Sequence, residues 1–243
     1  MTHVRHLLPA IIATGIAALP CAPFCALAHA ATQPYVVTTF DSIRVEAPVR
    51  VAIRTGAGTS ARGEGDRQIL DRLEVLVSGG LLLVRLRPPA SLGEARPGGT
   101  ATLTLSTGLI RRAQLLGGGA LTIDAMKGQR GDIALAGSGD IAVGAVALDR
   151  LVVMVAGNGR MTLSGAAGVL EARSTGAGIV DAPGLKAKQA TLVNQGPGSI
   201  TLTVNGPADI ATAGSGDVTV LGTPACKVTR GGTGRISCGG KDY

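Results

Sequence analysis

The sequence predicts an all-β solenoid, a parallel β-helix with about 18–20 residues per coil. Three observations carry this reading. Seven glycine-x-glycine triplets recur in the C-terminal half: Gly117-Gly118-Gly119, Gly137-Ser138-Gly139, Gly157-Asn158-Gly159, Gly176-Ala177-Gly178, Gly196-Pro197-Gly198, Gly214-Ser215-Gly216 and Gly232-Thr233-Gly234. Their steps are 20, 20, 19, 20, 18 and 18 residues, and a fixed period of this size marks stacked structural repeats. Between the triplets, apolar residues alternate with polar ones at period two, and no segment sustains a helical period for more than about two turns. The chain has no Trp and only 2% aromatic residues, which suits a narrow column filled by Val, Ile, Leu and Ala.

In chain order, residues 1–30 read as a secretory signal. Arg5 lies between His3 and His6, Leu7 to Leu19 is apolar, and Ala28-His29-Ala30 is a small-x-small cleavage site. The apolar stretch is short for a spanning helix, which needs about 20 residues. Proline at position 20, just before Cys21, argues against a lipoprotein signal. Cleavage before Ala31 removes every histidine together with Cys21 and Cys25, leaving 22 basic and 16 acidic residues, a net +6.

Residues 31–39 read as a loose leader, 40–238 as one domain and 239–243 as a tail. Within the domain, 40–108 forms the N-terminal coils and 109–238 the glycine repeats. From Phe40, Ile43, Val45, Val49, Val51 and Ile53 alternate with Arg44, Glu46, Arg50 and Arg54, the pattern of half-buried strands broken at Pro48. Gly63 to Asp66 reads as a turn, and Ile69 to Leu73 as a short helical turn. Glu74 to Val77 and Leu81 to Leu86 are strands around Ser78-Gly79-Gly80, and Pro88 to Gly99 is a surface loop. Each later coil has a Gly-x-Gly corner, a short strand such as Asp140 to Val143, and a second strand such as Leu151 to Val155. Strands that repeat in one direction pair in parallel, with coils about 4.8 Å apart. A corner repeated on every coil requires positive φ or close approach of stacked backbones, and glycine permits both.

The Ser/Ala-Gly-x-Gly-Asp/Arg-Ile/Val repeats resemble the GIN-domain family of auto-transporter adhesin head proteins. Phe40-Asp-Ser-Ile-Arg-Val, then Val49-Arg-Val-Ala-Ile and Gly63 to Asp66, resemble that family's opening strands. Gly222-Thr-Pro followed by Gly232-Thr-Gly resembles its ending. The resemblance covers about residues 38–238 and implies a right-handed parallel β-helix at the envelope or outside the cell. It brings no catalytic residues.

The chemistry points away from an enzyme and from any cofactor. A mature chain without His lacks the base of a serine hydrolase, and two cysteines fall short of a zinc site. Hydrolysis of glycans needs two carboxylates about 5–10 Å apart, for which Asp132 with Asp140, or Asp149 with Glu171, are the candidates. Gly-Ser-Gly-Asp at 137–140 and 214–217 resembles a calcium repeat, but the period is about twice the required nine residues; Asp140 and Asp217 then serve the corner backbone.

Cys226 and Cys238 are permitted to form a disulfide in an exported chain; the alternatives are two free thiols or an intermolecular bridge. Arg44, Arg50 and Arg54 are candidates for one basic stripe facing an anionic ligand, with Arg85, Arg87, Arg111 and Arg112 as additions, while the competing reading is plain solubility. Lys186-Ala-Lys188 and Asn194-Gln195 are read as variable surface residues suited to recognition. The sequence thus points to an exported binding or structural module of the periplasm or cell surface. Its expected partner is an envelope protein or glycan rather than nucleic acid, no membrane span follows the signal, and the solenoid ends are open to oligomer formation.

Overall fold

The computed structural model describes residues 31–88 and 99–243. The expected signal segment and nearly all of the loop read at Pro88 to Gly99 lie outside the described residues. Among the described residues, strands make up 69% and helix 2%, arranged as a β-solenoid of about 6 turns.

The elements are β1 (Ala31–Pro34), β2 (Ser42–Val45), β3 (Arg50–Thr55), β4 (Ser60–Gly65), α1 (Arg67–Leu70), β5 (Leu73–Ser78), β6 (Leu81–Leu86) and β7 (Ala101–Thr107), followed by the repeats. These are β8 (Arg112–Gly117), β9 (Ala120–Gly137), β10 (Asp140–Gly157), β11 (Arg160–Thr175), β12 (Ile179–Asn194), β13 (Ile200–Val204), β14 (Pro207–Thr212), β15 (Val218–Gly222), β16 (Ala225–Arg230), β17 (Ile236–Cys238) and β18 (Lys241–Asp242).

Each coil wraps three faces. The leading face runs into the Gly-x-Gly corner and stacks Arg112–Gly117 on Asp132–Gly137, Val152–Gly157 and onward to β14 and β16. The trailing face leaves the corner and stacks β3 on residues 120–123, 140–143, 160–162 and onward to β13, β15 and β17. The back face is the middle of β9 to β12, pairing residues 125–130, 145–150, 165–169 and 185–189. All of these pairings are parallel, so the coil period becomes a column of like positions.

The interior follows from the alternation. Ile133, Val153, Ala172, Leu192 and Ile210 stack from the leading face, while Leu121, Ile141, Met161, Val180, Ile200 and Val218 stack from the trailing face. All are buried. Burial at roughly 25 cal/mol per Å² of apolar surface stabilises this column.

The N-terminal part departs from a simple sequential helix. β2 lies between β6 and β8, and β3 lies between β7 and β9, so the first coil is sandwiched by later chain. Residues 60–65, where a turn is expected at Gly63 to Asp66, form β4, which pairs antiparallel with β7. β5 and β6 form an antiparallel hairpin, so pairing at this end is mixed. The segment expected as a loose leader begins with β1, antiparallel to β4. It is held because Tyr35 Oη donates to Leu70 O at 3.1 Å and the sheet edge of β4 needs a partner.

Asp66 caps α1, with Gln68 N donating to its Oδ1 at 2.8 Å, and Ile69 and Leu70 are buried over the end of the core. At the other end, the expected tail forms β18, antiparallel to β17, and Arg230 Nη1 donates to Tyr243 O at 2.8 Å.

Candidate functional site

The stacked corners set the register of the coils and so the direction of the exposed side chains. At most corners the carbonyl of the first glycine accepts from the next coil: Gly139 N to Gly117 O at 2.9 Å, Gly159 N to Gly137 O at 3.1 Å, Gly198 N to Gly176 O at 2.9 Å and Gly216 N to Gly196 O at 3.1 Å. Gly137 holds φ 131°. A Cβ there would lie 2.6 Å from Gly117 O, and one on Gly176 would lie 2.5 Å from Gly157 O. At Gly157, Gly196, Gly214 and Gly232 the carbonyl of the corner below is closer still; Gly139, Gly159, Gly198, Gly216 and Gly234 likewise face the second glycine of that corner. Gly178 would press on the Val155 side chain, and Gly119 on the Val49 and Ala47 carbonyls of the first coil. Gly117 has room above Glu46 O but holds φ 113°.

Arg44, Arg50 and Arg54 do not form one stripe. Arg44 lies on β2 of the leading face, where its Nε donates to Gln114 Oε1 at 3.0 Å. Arg50 and Arg54 lie on β3 of the trailing face. Residues 46–49 turn a corner beneath Gly117 to Gly119, and that corner separates them. Arg85 and Arg87 both reach Glu74, at 2.8 and 3.0 Å, and their hydrogen bonds hold its carboxyl below the usual carboxylate range.

Other arginines gather along the ridge between back and leading faces, but they are largely compensated. Arg111 pairs with Asp41 at 3.3 Å, Arg130 with Asp132 at 3.1 Å and Arg150 with Glu171 at 2.9 Å. The Asp132 carboxylate raises the Arg130 pKa further. Asp132 and Asp140 occupy different faces, leading and trailing, and Glu171 is taken up by Arg150. Asp217 accepts from Arg235 N at 2.8 Å, one coil on. Among the described residues, no group of three or more His, Cys, Asp and Glu is placed to hold a metal.

Asn194, read as a surface residue, is buried. It faces inward in register with Ser174 and Thr212, and its Nδ2 donates to Gly198 O at 2.7 Å, serving the corner from within. Cys226 and Cys238 are bonded to each other, with Cα atoms 6.5 Å apart.

A concavity of about 400 Å³ lies on the back face, where the coil beginning at Gly157 is shortest among its three-sided neighbours. Between Val143 and Val146 its register slips by one residue against β10, and it slips back against β12. Its back face begins with Gly165, Ala166, Ala167 and Gly168, none longer than a methyl, before Val169. The face dips there. Ala147, Leu148 and Asp149 form one bank, and Lys186, Ala187 and Lys188 the other. The next coil has only 18 residues and lacks a full back-face strand, so Asn205 closes the far end, its N donating to Ala187 O at 2.9 Å. Lys186 and Lys188 are exposed, and among the described residues neither makes an ion pair. The sequence singles out these lysines, and Asp149 only as a candidate carboxylate beside Glu171, while Asn205 gives no signal, because only stacking brings four coils together.

Residues 39–224 match the pattern of the family described as "Putative auto-transporter adhesin, head GIN domain". The chain belongs to this family.

Solved structures share the GIN-domain fold. A putative adhesin from Bacteroides fragilis superposes with a TM-score of 0.79 at 21% identity, over 86% of this chain and 97% of that one. A putative lipid binding protein from Parabacteroides distasonis gives 0.70 at 19% identity, over 87% and 97%. A putative adhesin from Parabacteroides merdae gives 0.68 at 14% identity, over 87% and 96%. At these identities the likeness is one of fold. No curated protein matches this GIN-domain chain.

Proposed function

We propose that this protein is an exported, non-enzymatic, adhesin-like binding module of the cell envelope that recognises a glycan through the back face of its solenoid, in the periplasm or at the cell surface. The observation that carries the reading is the back-face recess with two lysines that make no ion pair among the described residues, set beside a ridge whose arginines are largely compensated. Recognition sites are concave, with a few polar groups converging on an apolar floor. The family description and the neighbours named as adhesins support a binding role. The separation of Asp132 from Asp140, and the ion pairing of Glu171, support binding over hydrolysis.

The test is an array of envelope glycans and proteins probed with the full chain and with Ala166→Trp, which fills the recess. The reading expects binding to one glycan class by the parent, lost in Ala166→Trp while the thermal midpoint is kept. Equal binding by both proteins would place recognition elsewhere.

A second reading, docking of a protein at the C-terminal end, draws on β16, which pairs with β14 on one edge and, among the described residues, leaves its other edge open. It expects silence on the glycans and loss of a protein partner in Lys227→Glu.

A further inference from the structure

We infer that the back-face recess is a subsite for one carboxylate-bearing sugar, so that the glycan recognised is acidic. This rests on the proposed binding function and names the chemistry of its site. The recess holds about 400 Å³, within the range of small-ligand sites and open on one side, as a residue within a chain requires. Its floor consists of the outward methyl groups of Ala147 and Ala166 and the glycine backbone of Gly168, suited to the C–H face of a sugar ring. It has no aromatic ring in its lining, so it lacks the stacking platform that grips neutral sugars.

Affinity must therefore come from charge and hydrogen bonds. Lys186 and Lys188 project from alternate positions of one strand, roughly 6–7 Å apart along it, so both reach the same side. A carboxylate between them accepts two charged hydrogen bonds, about twice as strong as neutral ones. The other polar groups match hydroxyls. Asp149 is exposed and makes no ion pair among the described residues, so it accepts from them. Asn205 Oδ1 accepts from Thr223 N at 3.3 Å and Thr223 Oγ1 at 3.4 Å, which fixes the amide and leaves Nδ2 as a donor. Two cations for one carboxylate, with one acceptor and one donor for hydroxyls, describes a uronic-acid type of residue better than a neutral sugar or a bare anion.

The experiment is calorimetry on the full chain with galacturonic acid oligomers, neutral galactose oligomers and inorganic phosphate, repeated on Lys186→Gln/Lys188→Gln. The inference expects the acidic oligomer to bind, the neutral one to fail, and the double variant to lose about tenfold or more at an unchanged thermal midpoint. Equal acidic-oligomer binding by parent and double variant would overturn the subsite and leave glycan recognition standing. Phosphate competing as well as the oligomer would overturn the sugar assignment, reducing the recess to an anion site. Binding of no glycan would overturn both the subsite and the proposed function.

Discussion

Cys226 and Cys238 meet across the interior of the last coil, Cα atoms 6.5 Å apart, each the final member of an inward-facing column. Cys226 stacks on Ala208 from the leading face, and Cys238 on Val220 from the trailing face. The bond thus closes the open end of the core, where Val228 is only half-buried. Cys226→Ser/Cys238→Ser is expected to cost about 2–4 kcal/mol and to lower the thermal midpoint. A scan with and without reductant checks this, and an unchanged midpoint would mean that β18 and Arg230 alone secure the end.

The corner glycines give a second expectation. Gly157→Ala meets both a positive φ of 125° and the Gly137 carbonyl, so it should destabilise by roughly 1–3 kcal/mol or more. Ser138→Ala, at the variable middle position of a corner, should stay within about 0.5 kcal/mol. Equilibrium unfolding of both variants tests the contrast.

These corners were legible in sequence because a period of glycines has few other physical causes. The back-face recess was not. Gly165 to Gly168 look like any small-residue strand, and the missing residue of that coil shows only as a step of 19 among 20s. Its consequence appears when Ala147 and Lys186 are stacked on either side of Ala166. Asn194 was misread for a related reason: inside a solenoid a buried amide is satisfied by the corner it precedes, and polarity alone suggested surface. The order of β6, β2 and β8 was hidden because alternation gives strands but no register between distant ones.

The inward column supplies a third expectation. Thr212 is buried, and among the described residues its Oγ1 has no hydrogen-bond partner. Burying an unpartnered hydroxyl costs about 1–3 kcal/mol, so Thr212→Val should raise the thermal midpoint. Asn194→Ala should lower it by about 1–3 kcal/mol, since Gly198 O loses its donor. A fall in Thr212→Val would reveal a water or other group bridging Thr212 to its neighbours.

Acid sensitivity follows from Glu74. Its folded pKa is depressed by the Arg85 and Arg87 hydrogen bonds. A depressed carboxylate contributes stability above its unfolded pKa of about 4.3 and loses it as pH falls through the lower folded value. Glu74→Gln should therefore be less stable than the parent at neutral pH, and the gap should close in acid. Thermal midpoints at neutral and acid pH measure it; a gap constant with pH would remove the hairpin ion pair from the account.

The proposed function requires a built recognition face rather than diffuse charge. The measurement that tests it most directly is the affinity of the full chain for a galacturonic acid oligomer at low and at high salt. Recognition in the recess predicts binding that weakens modestly with salt and still excludes the neutral oligomer. Binding that vanishes at high salt, and is matched at low salt by any polyanion, would show only the net positive charge and contradict the account.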